Sequence, residues 1–251
     1  MKARYYSLTD TGKKRSLNED AFLNSERFAL FMVADGMGGH QYGDVASKMA
    51  LSSILAFLET RAGDRNTFSR QTLVDAISLA NRSIFRMKSV DASIEKMGCT
   101  LVCFAPGESG AGLAFHAGDS RLYRFRAETL RAVTRDHSVE RNLPDFMQGL
   151  GGGRFSSMLS RALGSNESVE IEITAVDFRK GDIFLLCSDG LYSMLDHDVL
   201  SSILKSSGSL RSTCESLVRQ ANRAGGEDNI TLTLVRIDSL EEPERFEMTR
   251  D

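Results

Sequence analysis

The chain is poor in the features that mark linkers, membrane spans and disulfide scaffolds. Three prolines among 251 residues, and no tract rich in Ser and Gly, leave no evident joint between two units. A single domain over residues 1–240 is therefore expected, long enough to bury a sizeable core. A formal net charge of −3 gives no surplus of positive charge to attract nucleic acid. No apolar run approaches the length of a bilayer crossing, and the first ten residues, MKARYYSLTD, contain no hydrophobic signal segment. The expectation is a cytoplasmic protein with no membrane contact. The four cysteines, Cys99, Cys103, Cys187 and Cys214, lie in or near apolar segments. Cys99 and Cys103 would share one face of a strand, but no second pair or suitably placed histidines complete a zinc site. They read as buried thiols. The glycine-rich stretch at residues 149–154, GLGGGR, follows no buried strand and lacks a downstream Lys and Ser, so it is not a nucleotide-type phosphate loop.

What the chain does have is acid at the ends of apolar strands. Residues 28–34, FALFMVA, are too short an apolar run for a comfortable helix and read as a buried strand that ends in Asp35 and Gly36. A carboxylate at the end of a buried strand is rigidly held, as a metal ligand should be. Asp-Gly is also ordinary turn chemistry, but the pattern recurs. Asp119 follows the candidate strand 112–116, Asp189 follows the run IFLLCS, and Asp228 precedes the last apolar strand. Glu19 and Asp20 precede the short run 21–23. Acids delivered to one cleft from five places repel one another unless a cation compensates them. Lys13, Lys14 and Arg15 form a basic cluster just before Glu19, either a solvated turn or a cationic hand for an anionic substrate.

Periodicity predicts helices over residues 44–58, 68–87, 196–206 and 209–224. It predicts an edge strand at 5–8 and successive antiparallel strands at 100–105, 112–116 and 122–125. Residues 138–160 read as a possible flap and residues 241–251 as a charged, frayed tail. Regular βαβ alternation is absent, so the pattern favours antiparallel sheets with helices layered outside over a doubly wound sheet.

The motifs resemble those of the metal-dependent serine/threonine protein phosphatases of the PP2C (PPM) family, bacterial branch. They are Arg15 with Asn18-Glu19-Asp20; residues 33–40 with Gly43 and Ala46-Ser47; residues 98–102; and Gly118-Asp119-Ser120-Arg121. Thr134 with Asp136-His137-Ser138, residues 160–164, residues 185–191 and Asp228-Asn229-Ile230-Thr231 complete the set in the family's order. The resemblance implies an α+β fold, a four-layer α/β/β/α sandwich with two central antiparallel sheets flanked by helices. It implies two core Mn²⁺ or Mg²⁺ ions and a third. Asp35 would bridge the core pair, the Gly36 carbonyl would serve the first ion, and Asp189 and Asp228 the second. Glu19 would act through water on the metal, Asp119 with Asp189 would complete the third site, and Asp20 would support the first ion's water shell or the geometry of Arg15. Arg15 would grip the phosphate while a metal-bridging water or hydroxide hydrolyses phosphoserine or phosphothreonine on protein substrates. A cognate Ser/Thr kinase and a monomeric state go with this picture. Alternatives are a phosphoprotein-binding module with a degenerate metal centre, or a metal-dependent phosphoesterase acting on small molecules. Two positions depart from common family patterns, as does the region 140–157, glycine-rich where relatives carry a longer helical segment. Met37 stands where many eukaryotic relatives have a histidine proposed as general acid, and His40 is three residues later. Cys99 replaces a usual threonine.

Overall fold

The computed structural model describes residues 1–38, 42–62, 67–90, 97–107, 110–139, 158–206, 208–240 and 247–250. His40 and most of the expected flap, residues 140–157, lie outside them. The chain opens with β1 (Lys2–Asp10), β2 (Ala21–Ser25), β3 (Leu30–Ala34) and β4 (Gly36–Met37). Two helices follow, α1 (Gly43–Ala62) and α2 (Arg70–Val90). Then come β5 (Gly98–Cys99), β6 (Leu101–Pro106), β7 (Ala111–Ala117), β8 (Arg121–Arg126), β9 (Thr129–Ala132), β10 (Glu172–Asp177) and β11 (Ile183–Cys187). Helices α3 (Asp189–Tyr192), α4 (His197–Lys205) and α5 (Leu210–Ala224) precede β12 (Ile230–Ser239) and β13 (Glu247–Arg250).

The strands form a six-stranded sheet, β13-β1-β12-β11-β8-β9, and a five-stranded sheet, β10-β7-β6-β3-β2, beside the small β4-β5 pair. Phe31, Val33, Phe104, Phe184, Leu186 and Val235 fill the space between the two large sheets. The rings of Phe104 and Phe184 meet there at 4.3 Å. On the outer face of the five-stranded sheet, Leu30, Met32 and Phe115 pack with Leu51, Ile54, Leu73 and Ile77 of α1 and α2. On the outer face of the six-stranded sheet, Leu185, Leu232 and Leu234 pack with Leu200, Leu204 and Leu217 of α4 and α5. The result is the expected four-layer α/β/β/α sandwich. It also explains why β3 is apolar without alternation: Phe31 and Val33 face the other sheet while Leu30 and Met32 face helices, so both faces are buried. Each such side chain removed from water contributes about 1.5–3 kcal/mol. Polar helix starts are capped, Asp196 accepting from the Val199 N–H and Ser209 from the Ser212 N–H. Among the described residues no helix is long and apolar enough to cross a membrane.

Three expectations change. β1 is not an edge strand: it pairs antiparallel with β12 on one side and parallel with β13 on the other. Within the tail, Glu247–Arg250 forms a strand paired with β1. β7 and β8 are sequential but unpaired, because the chain leaves the five-stranded sheet at Ala117 and enters the six-stranded sheet at Arg121. Asp119 lies in that crossover.

Candidate metal centre

The carboxylates occupy the same end of the two sheets. Asp35 follows β3, and its backbone is fixed on both sides by Thr100. The Asp35 N–H donates to Thr100 Oγ1 at 3.0 Å, and its carbonyl accepts the Thr100 N–H at 2.8 Å. Thr100 Oγ1 in turn meets Ser120 Oγ at 2.6 Å, which links the end of β3 to the β7–β8 crossover. Asp20 precedes β2, and its Oδ2 accepts from the buried hydroxyl of Ser188 at 2.7 Å. Ser188 Oγ also accepts the Thr231 N–H at 3.0 Å, so one hydroxyl joins β2, β11 and β12. Ser188 and Ser120 thus act as struts between the strands.

Asn229 organises the Glu19 side. Its Oδ1 accepts the Glu19 N–H at 2.8 Å, and its Nδ2 donates to the carbonyls of Thr11 and Leu17. The Glu19 carbonyl accepts from Ser47 Oγ at 2.6 Å and from the Gly36 N–H at 3.2 Å. The turn from β3 into α1 closes tightly on this residue. A Cβ at Gly43 would lie 2.5 Å from Glu19 Oε1, and one at Gly36 would lie 2.1 Å from the Gly43 carbonyl oxygen. Only glycine permits that approach. The loop before β1's partner is pinned as well, the Lys13 and Lys14 amides both donating to the Gly226 carbonyl.

The electrostatics follow from this crowding. Burial pushes the Asp35 carboxyl well above its ordinary range, and the charges of Asp20, Asp189, Asp119 and Asp228 push further. Burial, with Asp189 and Asp228 adding, pushes Asp20 up to about 7. Burial and then Asp189 raise Asp119 to about 6. Asp189 is raised by burial and by Asp228. Two carboxylate oxygens, Glu19 Oε1 and Asp189 Oδ1, are buried with no hydrogen-bond partner. Orphaned acceptors beside mutually repelling carboxylates, with only hard oxygen donors, fit a divalent cation of the Mg²⁺ or Mn²⁺ type. Arg15 reaches the same place, Nη2 donating to Asp228 Oδ2 at 2.7 Å. The structure therefore gathers Asp20, Asp35, Asp119, Asp189 and Asp228, with Glu19 and Gly36 laced to each other and Arg15 resting on Asp228.

A second grouping has no counterpart in the sequence reading. His116, His137 and Glu172 bring ligand-capable atoms within 4.8 Å of one another, suiting a metal ion by donor type and spacing. Their present arrangement is a strut. The two imidazoles stack at 4.3 Å with planes 13° apart, so their lone pairs lie in separate, nearly parallel planes and converge on no common ion unless a ring turns. His137 Nδ1 accepts the Gly118 N–H at 3.2 Å, which assigns the proton of the neutral ring to Nε2, facing Glu172 Oε2 at 3.0 Å. His116 Nε2 meets the Arg135 carbonyl at 2.8 Å, leaving its Nδ1 buried and unpartnered. Only the Asp136-His137-Ser138 motif hinted at this cluster, since its members lie on separate segments.

Buried carboxylates converging at one end of a two-sheet, four-layer sandwich define an α+β protein with a candidate metal centre. The sequence model of one family, described as Protein phosphatase 2C, matches residues 11–230, and the chain belongs to that family. It is 36% identical over 248 residues to the "Serine/threonine phosphatase stp" of Listeria monocytogenes, covering 92% of this chain and 94% of that relative. The solved serine/threonine phosphatase PstP/Ppp of Mycobacterium tuberculosis superposes with a TM-score of 0.82 at 29% identity, over 94% of this chain and 99% of that one. A structure of the PstP catalytic domain in complex with two manganese ions gives 0.77 at 28% identity, over 94% and 99%.

Proposed function

We propose that this chain hydrolyses phosphoserine and phosphothreonine esters on protein substrates at a divalent-metal centre. The observation that carries the proposal is the buried, unpartnered Asp189 Oδ1 in the cluster of Asp20, Asp35, Asp119 and Asp228, with a second unpartnered carboxylate oxygen, Glu19 Oε1, on the residue before Asp20. The similarity to named serine/threonine phosphatases over nearly the whole chain supports the substrate class. Bound there, Mn²⁺ or Mg²⁺ would acidify and orient an attacking water and offset charge on the phosphoryl oxygens. Asp35, Asp189 and Asp228, with the Gly36 carbonyl, are the proposed holders of two core ions, and Asp119 with Asp189 of a third.

The protein's own groups do the rest. Asp20, held by Ser188, orients water at the edge of the acidic cluster, and Glu19 accepts hydrogen bonds from water on its free oxygen. Arg15 is half-exposed, and its ion pair with Asp228 is of the weak surface kind, so the guanidinium is free to turn and fork two phosphoryl oxygens. No covalent intermediate is needed, because positioning and electrostatics supply the barrier reduction. We further propose one catalytic unit over residues 1–240, a monomer acting in the cytoplasm and opposing a cognate Ser/Thr kinase. A binding module with a degenerate centre is disfavoured by the presence of every proposed carboxylate ligand. The deciding experiment is phosphate release from a phosphothreonine peptide with and without Mn²⁺. Release that requires Mn²⁺ is expected, and binding without release would overturn the proposal.

A further inference from the structure

Asp119 presents a problem of placement. It lies in a crossover between two sheets, outside both ladders, and its carboxylate takes its hydrogen bond from its own backbone. Its position must come from the backbone, and two side chains hold that backbone. His137 grips Gly118 with both its main chain and its ring: the His137 N–H donates to the Gly118 carbonyl at 3.0 Å, and Nδ1 accepts the Gly118 N–H at 3.2 Å. Tyr192 holds the other side, its hydroxyl donating to the Asp119 carbonyl at 3.0 Å.

Tyr192 belongs to α3, the helix that begins with Asp189. Its hydroxyl therefore joins the backbone of one carboxylate directly to the helix carrying the other. The Tyr192 ring is itself fixed, with the Arg121 guanidinium 3.5 Å from its centroid. Arg121 is gripped by Asp136 through two bonds of 2.8 and 2.7 Å and donates to the Tyr123 hydroxyl at 2.8 Å. Asp136 precedes His137, so one dipeptide controls both sides of the Asp119 turn. On the far side Glu172 Oε2 and Arg161 Nη1 flank Nε2 of the His137 ring at 3.0 and 3.2 Å.

We propose that Tyr192 and His137 are positioning residues that set the separation of the Asp119 and Asp189 carboxylates, and through it the affinity of the divalent-ion site the two would share. The inference rests on the metal-centre reading above. It assigns to the Asp136-His137 motif a role at the centre that neither residue touches.

The test is Mn²⁺ titration of the full chain by calorimetry, together with hydrogen exchange at the Gly118 amide in metal-free protein. Tyr192→Phe deletes one hydroxyl and keeps the ring under Arg121. It should weaken the lowest-affinity Mn²⁺ site about 10-fold and leave the tighter sites within about 2-fold. His137→Ala should do the same and speed exchange at Gly118. His137→Asn, whose carbonyl oxygen can replace Nδ1 as acceptor, should restore most of both. In an Asp119→Ala background, neither Tyr192→Phe nor His137→Ala should change any remaining Mn²⁺ site. The proposal is overturned if Tyr192→Phe lowers the melting temperature but leaves every Mn²⁺ site unchanged. It is equally overturned if its effect persists without Asp119, or if Asp119→Ala alone changes no site. Those failures leave the phosphatase reading intact as long as the wild-type chain still releases phosphate with Mn²⁺. Absence of that release is the separate failure.

Discussion

Arg15 rests on a carboxylate that the metal centre would claim, and with its side chain 49% exposed it loses little by leaving. Arg15→Ala should lower kcat/KM on a phosphothreonine peptide by the value of one charge-assisted contact, about 1.5–3 kcal/mol. Mn²⁺ affinity should stay nearly unchanged, because Arg15 supplies no ligand oxygen. Steady-state kinetics beside a metal titration separate the two, and an unchanged kcat/KM would return Lys13, Lys14 and Arg15 to a plain solvated turn. Asp35 is the opposite case. It is the most crowded acid of the group, facing Asp20, Asp189, Asp119 and Asp228. Asp35→Asn keeps the size but halves the donor capacity, so turnover should fall at least about 100-fold and core Mn²⁺ binding should weaken by a similar factor. Retention of tight binding of two Mn²⁺ ions by Asp35→Asn would exclude a bridging role for this carboxylate.

At the scale of elements, the β7–β8 crossover is a tightly constrained joint. Gly118 has φ +110°, and a Cβ there would lie 2.7 Å from Thr100 Cγ2, on the residue that holds the Asp35 backbone. Gly118→Ala should destabilise the fold by about 2–4 kcal/mol, through backbone strain and overpacking together. Urea unfolding measures it, and a loss below about 0.5 kcal/mol would show that the joint relaxes freely. This joint also marks where the sequence stops being informative. The strands β3 and β11 and the acids behind them are legible because burial on both faces leaves an apolar run with a polar stop. The pairing partner of β8 is not legible, since the same local pattern serves either sheet. β13 escapes notice because its pairing is with β1, at the other end of the chain, and leaves no local pattern. The same limit applies to the site. Asp35 and Asp189 announce themselves locally, whereas the links from His137 to Gly118 and from Tyr192 to Asp119 join residues 19 and 73 positions apart. No period or spacing encodes them.

For the whole molecule, folding drives acids from five segments into one buried region, and that has a signature apart from catalysis. Asp20, near 7, and Asp119, near 6, stand above the ordinary carboxylate value of 3.8 in the folded state. The metal-free folded protein therefore holds protons that the unfolded chain has already released. By linkage, the stability these groups allow is fully present below about pH 4 and is lost as pH rises through 7. Asp177, held down near 2 by Arg126 and Arg124, works in the other direction in acid below this window, and His116 and His137, whose imidazoles burial pushes below their ordinary value, work in that direction at its acidic end. In excess chelator the unfolding free energy should thus fall by about 1–3 kcal/mol between pH 5 and pH 8, and phosphatase turnover should vanish. Asp20→Asn, which cannot ionise, should flatten the slope. Mn²⁺ competes with the same protons, so its stabilising effect should grow with pH and with concentration, reversing the trend in loaded protein. Thermal unfolding across this pH range, with and without Mn²⁺, makes the measurement. A metal-free Asp20→Asn protein whose stability follows the same slope between pH 5 and pH 8 as the wild type would mean that Asp20 is not held protonated by burial and mutual repulsion, and the electrostatic case for a cation at this centre would fall with it.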